Sequence, residues 1–297
     1  MAEHVIVFGG SGFIGRALCK SLLQKGYHTT VVCQNIQRAQ QQLGNHPNLA
    51  IKSIDLFTPE IVQKTVENST FVINLIGKLY EENSGDFDRF HRLFTQHLAQ
   101  AVSDTTHLIH ISALGIDAAA SSARYAQTKL AGEQAVKAHA QHYTILRPSV
   151  VFGPGDQFFN RFANMSQFSP FLPLVGDGST LFSPVYVEDV VRSILAIMAQ
   201  KPSNTTYAAV GPDTASFKVL MAFMLQTLSR KRIFIPIPRT IAHYQATIMN
   251  LMHIYLLTPD QVALLQHDNI NNDQLPNIDT LIGTCASYRE VVPKYIK

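Results

Sequence analysis

Only three of the 297 residues are cysteine, and Cys19, Cys33 and Cys285 have no metal-ligand spacing. An odd, sparse set of this kind excludes a disulfide framework and fits a reducing compartment. Charge is scarce as well: 15% of side chains are charged and the formal balance is +3. Beyond Arg230, Lys231 and Arg232 the basic residues do not cluster, so no nucleic-acid partner is expected. No continuous apolar run approaches the roughly 18 to 20 residues of a membrane-spanning helix. No repeat or low-complexity tract occurs, no metal site is expected, and no charged-then-apolar leader precedes the first strand pattern. The expectation is a cytoplasmic protein without a targeting peptide. Against these absences stand 46% hydrophobic residues in a chain long enough to bury a full core.

The first informative block is Val5 to Gly15, an apolar run followed directly by a glycine-spaced turn. Gly9, Gly12 and Gly15 stand at G-x-x-G-x-x-G spacing. The first serves a tight turn, the second lets backbone approach a pyrophosphate, and the third lets a helix pack closely on its strand. Ser11, Phe13 and Ile14 lie in this turn and the first helical turn, where N–H groups meet phosphate charge. Ala17, Leu18, Leu22 and Leu23 continue the helix at apolar spacing and Gly26 stops it. The block predicts dinucleotide binding; a plain strand-turn-helix is the alternative.

Short apolar runs then alternate with helical patterns. Strands are expected at Val5 to Phe8, His28 to Cys33, Leu49 to Ile54, Phe71 to Ile76, His107 to Ile111 and Tyr143 to Leu146. Helices fall near 13–25, 36–43, 59–67, 87–103 and 125–140. This is the grammar of an α/β protein with a Rossmann-type doubly wound parallel sheet and a ligand crevice at the carboxyl ends of its strands. The nucleotide-binding domain is expected over 1–150. Residues 151–297 are expected to form a smaller, mostly helical lid or substrate region, with a segment near 185–210 returning to the main sheet. Its helices are placed at 157–166, 187–200, 215–229 and 239–257, and Tyr207 to Gly211 is the returning strand.

Several positions inside this frame are expected to touch the cofactor. The second strand ends in Gln34 and Asn35, with no acidic residue for a ribose 2′-hydroxyl, and Arg38 follows one helical turn on. An arginine there suits a 2′-phosphate, which favours NADP(H) over NAD(H); a solvent-facing helix arginine is the other explanation. Asp55 and Leu56 close the third strand, beside the adenine or at the start of a turn before Thr58 and Pro59. Leu75, Ile76 and Gly77 end the fourth strand, where backbone passes the ribose.

Strand five runs into Ser112 and Ala113, and Tyr125 and Lys129 open the next helix. At i, i+4 spacing the phenol and ammonium share a helix face. An ammonium there is expected to lower the tyrosine pKa from about 10 toward the range of general acid-base chemistry. The phenol would then exchange a proton with a substrate oxygen while hydride moves at a nicotinamide.

Gly9 to Gly15, Tyr125 with Lys129, and Arg147 and Pro148 after strand six resemble the extended short-chain dehydrogenase/reductase superfamily, in its NAD-dependent epimerase/dehydratase-like group. Three later blocks are narrower: Arg147 to Phe162, Pro184 to Val190, and Leu257 to Val262. They resemble the atypical subgroup of the complex I NDUFA-type accessory subunit and its bacterial relatives. The resemblance spans nearly the whole chain. It implies a bound NADP(H) or NAD(H), cofactor contacts at Pro148 and the positions above, and ties to respiratory complex I or ubiquinone biosynthesis. It also implies a second serine or threonine where Ala113 stands and an asparagine where His91 stands.

Three functions follow. One is an oxidoreductase linked to quinone or respiratory metabolism, with Tyr125 as proton donor or acceptor, Lys129 holding ribose and Ser112 on the substrate carbonyl. A second is a non-catalytic, nucleotide-bound structural, assembly or sensor protein. A third is a nucleotide-sugar epimerase/dehydratase-like enzyme. The substrate is unassigned; Phe158, Phe159, Phe162 and Phe168 would suit an apolar one, or else fill a core. Helix 239–257 carries Ile241, Tyr244, Ile248, Leu251, Met252 and Tyr255 on one stripe. Core packing is its plain explanation. The other is a face toward a membrane or membrane complex, peripheral to the inner side, with Arg230, Lys231, Arg232 and Arg239 near headgroups.

Overall fold

Each expected apolar run becomes a strand in the computed structural model, which describes residues 3–201, 204–251 and 257–297, and all but the edge strand at Leu49–Lys52 are largely buried. The strands are β1 (His4–Phe8), β2 (His28–Val32), β3 (Leu49–Lys52), β4 (Phe71–Asn74), β5 (His107–Ile111) and β6 (His142–Pro148). Between them run α1 (Phe13–Gln24), α2 (Ile36–Leu43), α3 (Pro59–Val66), α4 (Phe94–Ala101), α5 (Ile116–Ala119) and α6 (Arg124–His139). A π-helical turn, Asp88–Leu93, leads into α4. The strand Thr205–Ala209 stands beside β6, and the seven-stranded order continues β5, β4, β1, β2, β3. β1 pairs in parallel with both β2 and β4. That reversal of strand order at β1 and β4 is where a doubly wound sheet opens its ligand crevice.

β3 and β4 end two residues before their apolar runs do, and β2 one residue before. β4 stops at Asn74 because its side-chain oxygen accepts from the Ile76 N–H (3.0 Å), which turns the chain out of the ladder. β3 stops at Lys52, before the turn that Asp55 builds.

By its contacts the chain forms two compact units. The first holds Met1–Ser112, Thr128–Arg147 and Val190–Tyr207; the second holds Ala113–Gln127, Pro148–Asp189 and Ala208–Lys297. In the first unit Ile6, Phe8, Val72, Leu108 and Ile145 pack with Phe94, Leu98 and Val136. Alternate residues of each strand face the same side, so this core is the period-two pattern made solid.

The second unit is built on α7 (Phe159–Phe168), the start of α8 (Val187–Gln200), α9 (Phe217–Thr227), α10 (Arg239–Leu251) and α11 (Pro259–Leu264). Its core joins Phe152, Phe159, Phe182, Leu220, Met221, Met224 and Tyr288, with Phe158 and Phe162 packed against it. Phe158 and Phe159 meet edge to face at 5.0 Å between ring centroids. These phenylalanines therefore fill a core, whereas Phe168, at the end of α7, is 87% exposed.

The core explanation of the 239–257 stripe is overturned. Among the described residues of α10, Ala242 and Ala246 are buried and pack with Val262, while Ile241, Tyr244 and Ile248 are exposed. Small side chains sit on the inner face, so the large ones are left on the outer one. The side chains of Leu251, Met252 and Tyr255 lie outside the described residues.

Candidate functional site

The glycine turn follows from sterics. Gly9 holds φ +81°, a conformation that L side chains rarely adopt, and a Cβ there would stand 3.2 Å from the Leu75 carbonyl carbon. A Cβ on Gly15 would stand 2.4 Å from the Gly9 oxygen and 2.6 Å from the Gly10 Cα. Gly10, not singled out in the sequence, is equally confined, because its Cβ would lie 2.8 Å from Val31. Its signal was the doubled Gly-Gly. Gly12 is the N-cap of α1 and brings no side chain to it. The first-turn N–H groups, at Phe13 and Ile14 among others, thus present the positive end of a 12-residue helix. Such a cradle fits a pyrophosphate. The Cys33 thiol donates to the Asn35 carbonyl at 3.6 Å.

Beside this turn Gln34 and Arg38 are exposed, and the Asn35 side chain caps α2 by accepting from the Arg38 N–H at 2.8 Å. With its amide oriented to satisfy both ends, Gln42 donates to the Ser11 carbonyl (3.2 Å) and accepts from Arg38 Nε (3.3 Å). That bridge draws Arg38 toward the glycine turn, and sequence spacing alone did not reveal it. Asp55 starts a turn. Its oxygens accept from the Phe57 N–H (3.0 Å) and the Thr58 hydroxyl (2.6 Å), and these bonds, Thr58 foremost, hold its pKa down. Leu56 is buried in the core.

Leu75 and Ile76 bring backbone against Gly9, and Gly77 leaves room for Lys129, whose Nζ would lie 3.1 Å from a Cβ there. Lys129 is 4% exposed and donates to the Ile111 carbonyl at 3.1 Å. Burial pulls its pKa down to about 8, with Glu133 pulling the other way. The Ser112 N–H joins the Leu146 carbonyl (2.8 Å), while its buried hydroxyl has no hydrogen-bond partner. An orphaned hydroxyl costs stability unless something fills the need, and a ligand oxygen would.

His91, where the resemblance implies asparagine, is fully engaged. Its Nε2 accepts from the Lys78 N–H at 3.0 Å, so Nδ1 carries the proton and meets Thr128 Oγ1, also at 3.0 Å. Its ring stacks on Phe87 with 19° between planes. Burial, then the charges of Lys129 and His110, keep it well below 6.5 and hence neutral.

Tyr125 and Lys129 stand one turn apart on α6. The expected lowering of the Tyr125 pKa is reversed: burial pushes it up to about 12. Desolvation disfavours phenolate, so the phenol keeps its proton at neutral pH. Pro148, buried at the end of β6, gives its carbonyl to the Leu114 N–H (3.0 Å). Among the described residues no group of three or more His, Cys, Asp or Glu is placed to hold a metal, and no helix is long and apolar enough to cross a membrane.

Comparison with known proteins agrees with this architecture. The profile of the NAD dependent epimerase/dehydratase family matches residues 5–209. Subunit 9 of the NADH dehydrogenase [ubiquinone] 1 alpha subcomplex is 30% identical in Rattus norvegicus over 284 residues, 93% of this chain and 74% of that protein. The Arabidopsis thaliana protein of the same name is 28% identical over 284 residues, 90% of this chain and 70% of its own length. A ceramide reductase of Caulobacter vibrioides is 26% identical over 193 residues, 65% of this chain and 60% of that protein. Among solved structures, dTDP-glucose 4,6-dehydratase of Bacillus anthracis with NAD superposes with a TM-score of 0.77 at 14% identity, over 99% of this chain and 96% of that one. At that identity the likeness concerns the fold.

Proposed function

Because the chain belongs to the NAD dependent epimerase/dehydratase family, in the branch that includes subunit 9 of the complex I alpha subcomplex, we propose that it binds NADP(H) in preference to NAD(H) and reduces an apolar carbonyl compound. The steric cradle of Gly9 and Gly15 at the open N-terminus of α1 carries the cofactor assignment. Arg38, held through Gln42 and with no acidic residue at Gln34 or Asn35, supports the 2′-phosphate. Gly12, Phe13, Ile14, Leu75, Ile76 and Gly77 would line the dinucleotide, and Lys129 would hold its ribose.

When bound, the nicotinamide supplies a hydride. Tyr125, kept protonated by burial, gives its proton to the substrate oxygen. Ser112, at the end of β5, has a buried hydroxyl without a hydrogen-bond partner that would suit a ligand oxygen. A phenol that holds its proton favours reduction over the reverse reaction, and one relative is named for a reductase activity on ceramide. The test is oxidation of bound NADPH by a hydrophobic ketone or quinone. Tyr125→Phe should slow it by roughly a hundredfold or more while leaving nucleotide affinity unchanged. Equal rates in the two proteins would refute the role of the phenol. No oxidation with any such acceptor would favour a nucleotide-held structural subunit, a reading that Ala113, the engaged His91 and the complex I relatives support.

The outer face of the second unit supports association with an anionic bilayer surface. Phe168, Phe171, Ile233, Ile235, Ile241, Tyr244 and Ile248 account for seven of the eleven exposed large apolar residues described. The segment 229–259 around most of them holds Arg230, Lys231, Arg232 and Arg239 and no acidic residue. Arg230 and Arg232 also donate to the Ala163 and Ser166 carbonyls at the end of α7, which fixes them in place while keeping their charge. Co-sedimentation with phosphatidylglycerol-containing vesicles at low salt should remove the protein from the supernatant, and Ile241→Ser with Ile248→Ser should return it. Protein that stays in solution with those vesicles removes this surface from consideration; dimerisation lost in the double variant would reassign it to a second copy.

A further inference from the structure

Helix α6 starts without a cap of its own. The Gln127 N–H bonds the Ala123 carbonyl at 3.1 Å, so Ala123 is the N-cap residue, and its methyl group accepts nothing. Alanine is among the poorest residues at this position, because the N2 or N3 amide then lacks its usual side-chain acceptor. Here the N2 amide, that of Tyr125, donates instead to Asp260 Oδ1 at 3.0 Å, across 135 positions of sequence. A carboxylate at the N-terminus of a 16-residue helix also meets the positive end of its dipole.

Asp260 is itself rigidly presented. It sits in the first turn of α11, which Thr258 and Gln261 close with a reciprocal capping box and Pro259 starts. Val262, two residues along the same short helix, is buried against Ala242 and Ala246 of α10. Two further bonds run from this segment to the stretch before Tyr125. Ser122 Oγ meets His267 Nε2 at 3.3 Å, and Asn269 Nδ2 donates to the Leu114 carbonyl at 2.9 Å. All these residues belong to the second unit.

We propose that Asp260 is a positioning residue: with His267 and Asn269 it clamps residues 114–125 from the C-terminal region, supplying in trans the cap that sets where the Tyr125 phenol stands. This rests on Tyr125 being the proton donor proposed above. It also gives the block Leu257 to Val262 a task. Pro259 and the capping box fix a turn whose one carboxylate reaches the tyrosine amide.

The test uses the full chain with two readouts: hydrogen exchange at the amides of residues 124–127, and the titration of Tyr125 by carbon NMR of labelled tyrosine, assigned with Tyr125→Phe. Asp260→Ala should speed exchange there by roughly five- to tenfold, the usual worth of a lost cap. It should also let Tyr125 titrate nearer the ordinary value of about 10, as its backbone anchor loosens and water enters. Adding Ala123→Ser, which restores a cap in cis, should reverse both changes. Unaltered exchange or an unaltered titration in Asp260→Ala overturns the proposal, and so does failure of the added serine to restore them. Should Asp260→Ala not fold, Asp260→Asn keeps an acceptor oxygen but loses the charge, and must stay within about threefold of the unaltered chain in exchange and match it in titration; a larger change overturns the proposal. Turnover is scored apart. If Tyr125→Phe oxidises bound NADPH as fast as the unaltered chain, the proton-donor assignment fails while the capping result stands.

Discussion

Gly15→Ala is expected to weaken NADPH binding by on the order of a hundredfold, read by calorimetric titration. The added methyl would lie 2.4 Å from the Gly9 oxygen and 2.6 Å from the Gly10 Cα, and both are backbone atoms that no rotamer change can move aside. Either the turn opens or α1 lifts from β1, and in both cases the first-turn amides leave the phosphate position. Far-UV circular dichroism should be unchanged, because the distortion is confined to one turn. Gly26→Ala is the natural control. A Cβ there has open space, though φ is +85°, so strain falls on the helix end and the nucleotide affinity should hold.

Acidification should produce the second large effect. His107 and His110 are buried and neutral, with burial as the main cause, and their pKa values fall to about 4 and about 3. His107 Nε2 is spent on Thr144 Oγ1 at 2.8 Å. His110 Nδ1 accepts from Asn74 Nδ2 at 3.2 Å, which leaves a buried Nε2 without a partner. In the unfolded chain each would titrate near its ordinary value of about 6.5. The unfolded state therefore binds more protons below that pH, and stability present above about 6.5 is lost as pH falls toward 4 and 3. At about pH 5 each histidine removes about 2 kcal/mol, a serious share of the roughly 5–15 kcal/mol that holds a domain together. His91 acts in the same direction. Urea midpoints at about pH 7.5 and pH 5 measure the loss, and His107→Gln should recover close to half of the two-residue contribution. Equal midpoints at the two pH values would show that these histidines titrate alike folded and unfolded.

Much of the fold was legible because period-two and helical spacing translate directly into buried faces. β1 to β6 and α1 to α3 lie within a few residues of their expected positions, the helix expected near 87–103 opens as the π-helical turn Asp88–Leu93 before α4, and the strand Thr205–Ala209 stands in the sheet as its sequence suggested. The glycine turn was legible for the same reason, since sterics act locally. What escaped were effects that depend on distant chain. Nothing in the spacing of Tyr125 and Lys129 told that burial would raise the phenol to about 12. Nothing at Ala123 told that its cap would arrive from Asp260. The stripe on α10 was readable, but which side faced the core depended on Val262, contributed by another helix.

The most direct measurement of the central claim is titration of the unaltered full chain with NADPH and with NADH under identical conditions. NADPH should bind at micromolar affinity or tighter and NADH roughly tenfold more weakly, and the difference should vanish in Arg38→Ala, the worth of one charge-assisted contact to a 2′-phosphate. Failure of both nucleotides to bind, or tighter binding of NADH than NADPH, would contradict the claim.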